Sequence, residues 1–332
     1  MSSTLKDIAQ STGFSINTVS RALRDDKNIS VQTKAKICEK AKDLNYIPNA
    51  IASSLRSASS KTLGVISADS FNPFFSEVIG GIENSASQYG YHILIGSTDE
   101  ILKKEVSLVN MFYSRKIDGL LVIPVYDNSE EHLKLYQNLS IPYIFLGRYI
   151  KGLEHHSVLH NDVVGQKNVF DYLLDKGHKK ILYIAGPKKV SNTFDRIEGL
   201  RQSYAVHDIA LDDKYIVHAY GHIEDGYAVM NQALNRGLDF TAIVCFNDMM
   251  AMGALKSLSE NDLKVPKDVE LVGYDNLYMS QFMQPSLTTV DVPKFSLGFN
   301  ATERLIRHIE EPTLEYKTIE LPTRMVFRET TR

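Results

Sequence analysis

Apolar positions along the chain follow two different rhythms. In the first sixty residues they recur every three or four positions in short segments. Leu5, Ile8 and Ala9, then Val19, Ala22 and Leu23, then Ile37, Ala41 and Leu44 each make one apolar stripe on a helix. Thr4, Ser15 and Ser30 stand where N-caps belong, and Asp7 completes a capping box with Thr4. Gly13 falls at a sharp reversal between the first two segments. The pattern predicts three small helices, the first two arranged as a helix-turn-helix. Ile16, Asn17, Ser20 and Arg21 are left on the outer side of the second helix.

Beyond residue 60 the rhythm changes. Continuous apolar runs recur at 63–68, 91–96, 119–124, 141–147, 180–186, 241–246 and 269–274. Helical patterns at 75–90, 102–116, 162–177, 193–206, 224–236 and 248–260 separate most of them. Apolar strands alternating with helices predict parallel sheets covered on both faces. About 270 residues is more than one small core needs, so two lobes are expected. Gly90, Gly177 and Gly237 fall where helix C-caps belong.

Charge separates the same two parts. Residues 1–60 hold nine Lys/Arg against five Asp/Glu, while the whole chain carries a formal −3. A basic end on an acidic body suggests a nucleic-acid surface joined to something else. Asn and Arg at the start of the second helix suit base edges in a major groove. From spacing and charge alone, the three helices read either as a DNA-binding unit or as a small structural or protein-binding bundle.

In doubly wound sheets ligands collect at the carboxyl ends of strands. Those ends carry Asp69 to Phe75, Gly147-Arg148-Tyr149, Asn192 to Arg196, Asn247-Asp248 and Asp275-Asn276. Aromatic faces with amide, carboxylate and guanidinium groups suit a neutral polyol. Singly each reads as structural: Arg196 as a surface salt-bridge partner, Asp248 as a helix cap, Asp69 as a turn residue. Their joint placement makes a site. The motifs of hydrolases, nucleotide-binding loops and zinc proteases are not found, so no catalytic residues, cofactor or metal are expected. His155, His156 and His160 lack a matching Cys or carboxylate set. Cys38 and Cys245 read as small buried hydrophobes, and two cysteines in 332 residues suit a reducing compartment. No signal peptide or membrane span is read, which suits a cytoplasmic chain with no membrane partner.

The segment LKDIAQSTGFSINTVSRAL resembles the head of the LacI/GalR family of bacterial transcription regulators, departing only at Thr12 and Phe14, where Ala and Val are usual. The stretches NPFFSEVIGGIE, RKIDGLLVIP, FDRIEG, FNDMMAMGAL, VPKDVELVGYDN and PSLTTVDVP look like the family's effector domain, so the resemblance covers nearly the whole chain. It implies an all-α helix-turn-helix head over 1–48 and a hinge helix and linker over 49–60. Residues 61–332 would form an α/β core like periplasmic binding proteins. That core has two doubly wound parallel-sheet lobes, about 61–160 with 292–322 and about 161–291 with 323–332.

The resemblance further implies DNA contacts from Thr4, Ser15, Ile16, Asn17, Thr18, Ser20, Arg21 and Asn28 in the head, with Ile16, Asn17 and Arg21 choosing the operator. In the hinge it implies contacts from Asn49, Ala52 and Leu55, Leu55 being a minor-groove wedge; without the resemblance Leu55 is an ordinary linker residue. A hinge of about two turns is too short to hold itself helical. Arg196, Asn247 and Asp275 fall on effector-contact positions of the family. Phe74, Phe75, Asn192 and Arg148 complete the expected set. Gly147-Arg148 departs from the family's usual Asp after the fourth strand, which removes one hydroxyl-binding carboxylate and raises a sugar phosphate, with Arg148 near its phosphate, beside a free sugar. The resemblance thus implies a homodimer on a pseudo-palindromic operator, controlled by a sugar or sugar phosphate, and more often a repressor released by its effector. The chain lacks a heptad tail, so a coiled-coil tetramer is not expected. Two rivals are a transport-type sugar-binding protein, which needs a signal peptide and no basic head, and a sugar-cleft enzyme using Asp69 and Asp275. A regulator answering to a partner protein or a non-sugar metabolite is a further alternative.

Overall fold

The computed structural model describes residues 3–47, 59–127 and 129–332. The chain divides into two compact units, Met1–Ser60 and Lys61–Arg332.

The first unit holds α1 (Leu5–Thr12), α2 (Ile16–Ala22) and α3 (Val31–Asp43). Its ends are set by side chains. The Thr4 hydroxyl accepts from Asp7 N at 3.4 Å and the Asp7 carboxylate from Thr4 N at 2.8 Å, closing a capping box. Ser15 and Ser30 accept from Thr18 N and Thr33 N. Gly13 ends α1 at φ 77°, a left-handed conformation that would strain a side chain. Ile8, Val19 and Ile37, one from each helix, are fully buried and centre the small core. The two departures from the family pattern fit this packing. The buried Thr12 hydroxyl returns its hydrogen bond to Ile8 O at 2.7 Å, and Phe14 lies under Lys36, 5.5 Å from its ammonium. Cys38, expected to be buried, is only half-buried, because α3 turns that position toward the rim of a three-helix core.

In the second unit the strands are β1 (Thr62–Ser67), β2 (His92–Ser97), β3 (Gly119–Val122), β4 (Tyr143–Leu146), β5 (Ser157–His160), β6 (Ile181–Ala185), β7 (Ile216–His218), β8 (Ala242–Cys245), β9 (Glu270–Val272), β10 (Thr289–Asp291), β11 (Ile319–Leu321) and β12 (Arg324–Val326). One parallel sheet runs in the order β2-β1-β3-β4-β5-β11 and a second in the order β7-β6-β8-β9. β10 and β12 pair antiparallel. The helices are α4 (Pro73–Gln88), α5 (Leu102–Ser114), α6 (Glu130–Gln137), α7 (Asp162–Asp175), α8 (Ser191–Val206), α9 (Ile223–Asn235), α10 (Asp248–Glu260) and α11 (Lys294–Glu310). The chain passes between the sheets after β5, after β10 and after β11.

β3, β4, β6 and β8 are buried along their length, as their apolar runs require. β2 departs from that expectation. It is an edge strand, and Leu94 and Ile95 stay exposed. α4 and α11 cross at two glycines: a Cβ on Gly81 would meet Phe295 O at 2.1 Å, and one on Gly298 would meet Val78 O at 2.0 Å. That close approach fixes α11, which returns from the second lobe, onto the first.

In both sheets the chain order reverses beside the first strand, between β1 and β3 and between β6 and β8. Loops leaving the carboxyl ends at these points open a crevice.

Candidate functional site

The crevice gathers residues that are far apart in sequence. Phe74, Phe75, Arg148, Asn192, Arg196, Asn247 and Asp275 all line one cavity. Phe74 and Phe75 occupy the first turn of α4, started by Pro73 and by the Asn72 side chain, which accepts from Phe74 N at 3.0 Å. Their rings meet edge to face at 5.3 Å. Asn192 and Arg196 stand one turn apart on α8, and the Asn192 Oδ1 has no partner among the described residues.

Arg196 is not the surface residue that its sequence position suggests. It is 2% exposed, its Nε donates to Asp162 at 2.7 Å and its Nη1 to Phe246 O, and its guanidinium lies between the rings of Tyr274 and Phe246. Burial alone would raise the Asp162 carboxyl; Arg196 and His160 instead hold it at about 2. Asn247 caps α10, accepting from Met250 N at 2.8 Å, and donates to Gly221 O at 2.9 Å. The capping role expected of Asp248 therefore belongs to its neighbour. Asp248 points into the core, where Leu277 N, Ser280 and Thr289 donate to it. Asp69 does turn work, accepting from Phe71 N at 2.8 Å. Asp275 sits at φ 109°, a strained backbone for a non-glycine. Burial pushes its carboxyl up to about 8 against the pull of Arg196.

Several lining residues escaped the sequence reading. Glu100 supplies a carboxylate to the pocket wall from the turn after β2, at φ 59°. It takes Arg148 at 3.0 and 3.1 Å and Tyr126 N at 3.2 Å. Tyr126, His160, Tyr220 and His222 also line the cavity. Two tyrosines tie the lobes together across it. Tyr126 OH donates to Tyr220 O, Tyr149 OH donates to Asp195, both at 3.2 Å, and Tyr149 N donates to Ser191 Oγ at 3.0 Å. Behind the wall, the fully buried Glu105 accepts from Tyr136 OH at 2.6 Å and Val125 N at 2.9 Å, with His132 Nε2 at 2.7 Å. This network fixes the loop that carries Pro124 and Tyr126.

In the head, Ile16 and Asn17 are exposed at the start of α2 and Thr18 is half-buried. Ser15 and Thr4 are exposed but spend their hydroxyls on helix caps. Ser20 corrects the expectation of an outward residue. It is 9% exposed, with Arg24 folded back onto its carbonyl at 3.0 Å. Asp26, unnoticed in the sequence, organises the rest: Arg21 Nε donates to it at 2.8 Å, and Asn28 donates through its backbone at 2.9 Å and its amide at 3.1 Å. Arg21 holds the Asp26 carboxyl well below the usual range. Asn49, Ala52 and Leu55 lie outside the described residues.

Comparison with known proteins matches both units. Residues 4–49 fit the family of bacterial regulatory proteins, lacI family, and residues 60–329 fit periplasmic binding proteins and sugar binding domain of LacI family. The HTH-type transcriptional repressor PurR of Histophilus somni (strain 2336) is 31% identical over 331 residues, spanning 99% of this chain and 99% of that protein. The ribose operon repressor of Halalkalibacterium halodurans is 31% identical over 329 residues, 99% and 97% of the two chains. Among solved structures, the lac repressor dimer bound to operator and the anti-inducer ONPF is 25% identical, covers 100% and 99% of the two chains, and superposes with a TM-score of 0.90. A LacI family transcriptional regulator from Enterococcus faecium with bound ribose is 27% identical over 81% of this chain and 98% of its own, with a TM-score of 0.71. Head motif, two-lobed core and sequence identity agree along the chain, which belongs to the LacI family of DNA-binding bacterial transcription regulators.

Proposed function

We propose that the chain is a repressor whose hold on a pseudo-palindromic operator is set by a sugar or sugar phosphate in the crevice between the lobes. The convergence of Phe74, Phe75, Arg148, Asn192, Arg196, Asn247 and Asp275 on one cavity carries this reading. Charged groups braced on both walls, with aromatic faces between them, recognise hydroxyls and pack a ring. The ribose operon repressor and the ribose-bound regulator among its relatives support a sugar.

Two heads on a homodimer read two half-sites, with Ile16, Asn17 and Arg21 choosing the bases and Thr4, Ser15, Thr18 and Asn28 placing the helix. Asn49, Ala52 and Leu55 form the hinge, and the Leu55 pair opens a base step and bends the duplex. The effector changes the lobe angle by replacing contacts such as Tyr126 to Tyr220 and Tyr149 to Asp195. The hinge then orders or frays, and operator affinity follows. The effect is reciprocal, since the coupling is one free energy shared by both ligands. No described helix is long and apolar enough to cross a membrane; the protein works in the cytoplasm, on the nucleoid.

Selection of bound duplexes from a random pool tests the DNA half. The expected result is a pseudo-palindrome whose centre bends in a phasing assay and straightens with Leu55→Ala. Recovery of no preferred sequence contradicts it.

A further inference from the structure

We infer that the crevice takes an uncharged effector and turns phosphorylated ones away, and that Glu100 is the residue that decides it. The inference rests on the crevice being the effector site. A cleft lined by two arginines invites the opposite reading, but neither guanidinium is free. Arg148 Nη1 reaches both Glu100 oxygens at 3.0 and 3.1 Å and Pro124 O at 2.8 Å, with the Tyr126 ring 4.6 Å from its centre. Arg196 is spent on Asp162 and Phe246 O. Both pairs are nearly enclosed: the Arg148 and Glu100 side chains are 8% and 13% exposed, those of Arg196 and Asp162 2% and 3%.

A phosphate ester is close to a dianion at neutral pH. A phosphate oxygen that took the remaining N–H of either arginine would share that guanidinium with the carboxylate it already neutralises, bringing like charges together in a nearly enclosed site. A further acid, Asp69, lines the same cavity and would face it. The helix N-termini that would welcome an anion are closed at α4 by Asn72 and at α10 by Asn247. α8 begins without a side-chain cap, but Asp195 stands in its second turn and Asp162 beside Arg196. An uncharged polyol meets none of these obstacles. Its hydroxyls donate to the Asp275 carboxyl, on which no described hydrogen bond ends, and accept from guanidinium N–H groups. The bonds of Arg148 run through Nη1 and those of Arg196 through Nε and Nη1, which leaves Nη2 of each for a ligand oxygen. The carboxylate that this chain lacks after β4, where the family pattern has Asp, is thus supplied by Glu100 from the turn after β2.

Calorimetry on the full chain tests this with ribose and ribose 5-phosphate, glucose and glucose 6-phosphate, and inorganic phosphate. The wild type is expected to bind each ester at least about tenfold more weakly than its free parent, and inorganic phosphate not at all in the millimolar range. Glu100→Gln frees Arg148 and is expected to gain at least about tenfold in affinity for inorganic phosphate and the esters, while Glu100→Asp keeps the wild-type order. An ester bound as tightly as its free sugar by the wild type overturns the inference. So does a Glu100→Gln protein with a normal thermal melt and no gain for phosphate, even if no sugar in the set binds. If Glu100→Gln does not fold, the wild-type comparison decides, and inorganic phosphate bound by the wild type overturns the inference. The regulator reading fails separately, when a ligand that binds leaves operator affinity unchanged.

Discussion

Lys294 donates a 2.6 Å hydrogen bond to the backbone carbonyl of Asp275. Lys294 starts α11, which packs on the first lobe, whereas Asp275 follows β9 in the second. The lysine is 3% exposed, also donates to Asn276 O at 3.2 Å, and has Glu77 of α4 at 3.7 Å. The backbone of the strained acid in the cleft is therefore held by the element that joins the lobes.

Replacing Lys294 with Met leaves the carbonyls of Asp275, Asn276 and Val292 short of a donor. The expected loss is on the order of 1–3 kcal/mol in denaturant unfolding of the core. Glu77→Gln, at a half-exposed partner, should cost no more than about 1 kcal/mol. Equal midpoints for Lys294→Met and the wild type would remove this role.

Asp275 gives the protein a pH signature. Burial raises its folded pKa to about 8, above an unfolded value near ~4. The folded state binds the proton more tightly, so this contribution to stability is whole below about pH 4. It declines as pH rises and is gone once pH has passed the folded pKa, where a buried charge must be carried. Asp275→Asn removes the titration. Its melting temperature relative to wild type should climb from about pH 4 upward and level off near the folded pKa. A difference independent of pH contradicts the assignment.

Arg21→Ala should weaken the preferred operator by about 1–3 kcal/mol and relax the choice of bases, with a smaller effect on random DNA. Loss of a head lysine should instead weaken all sequences alike and reduce the salt dependence. Anisotropy titrations on selected and scrambled duplexes separate the two. Equal loss on both duplexes for Arg21→Ala would count against α2 as the reading helix.

Glu105→Ala strands His132 and Tyr136 in the core and should cost on the order of 3–5 kcal/mol. Lys104→Ala, one residue away in an exposed pair with Asp99, should cost no more than about 1 kcal/mol. Thermal melts of the two variants should differ widely; similar melts would show that the Glu105 network does not brace the wall.

Much of this was legible in the residues. Caps at Thr4, Ser15 and Ser30 and the stripes behind them give the head its helices. The long apolar runs give most strands of the two sheets, because strands buried on both faces leave no polar alternation to confuse the pattern. What escaped has physical causes. β5 reads SVLH, too short and polar to stand out, and with it went Asp162, the partner of Arg196. Glu100 sits in a left-handed turn, where no periodicity points to it. The stripe of Leu297, Ala301 and Leu305 marks α11, but that helix lies past a crossover and separates no two runs of the alternating pattern. Ser20 and Asp248 were misplaced because spacing gives the face of a helix but not which neighbour folds over it.

The most direct test of the account is operator affinity with and without a bound sugar, for the wild type and for Asp275→Ala. The account predicts that a sugar found to bind the wild-type crevice shifts its operator affinity by roughly 5- to 150-fold. Asp275→Ala should hold the operator as the wild type does and show no shift. An unchanged shift in Asp275→Ala, or no shift in the wild type at saturating sugar, would contradict it.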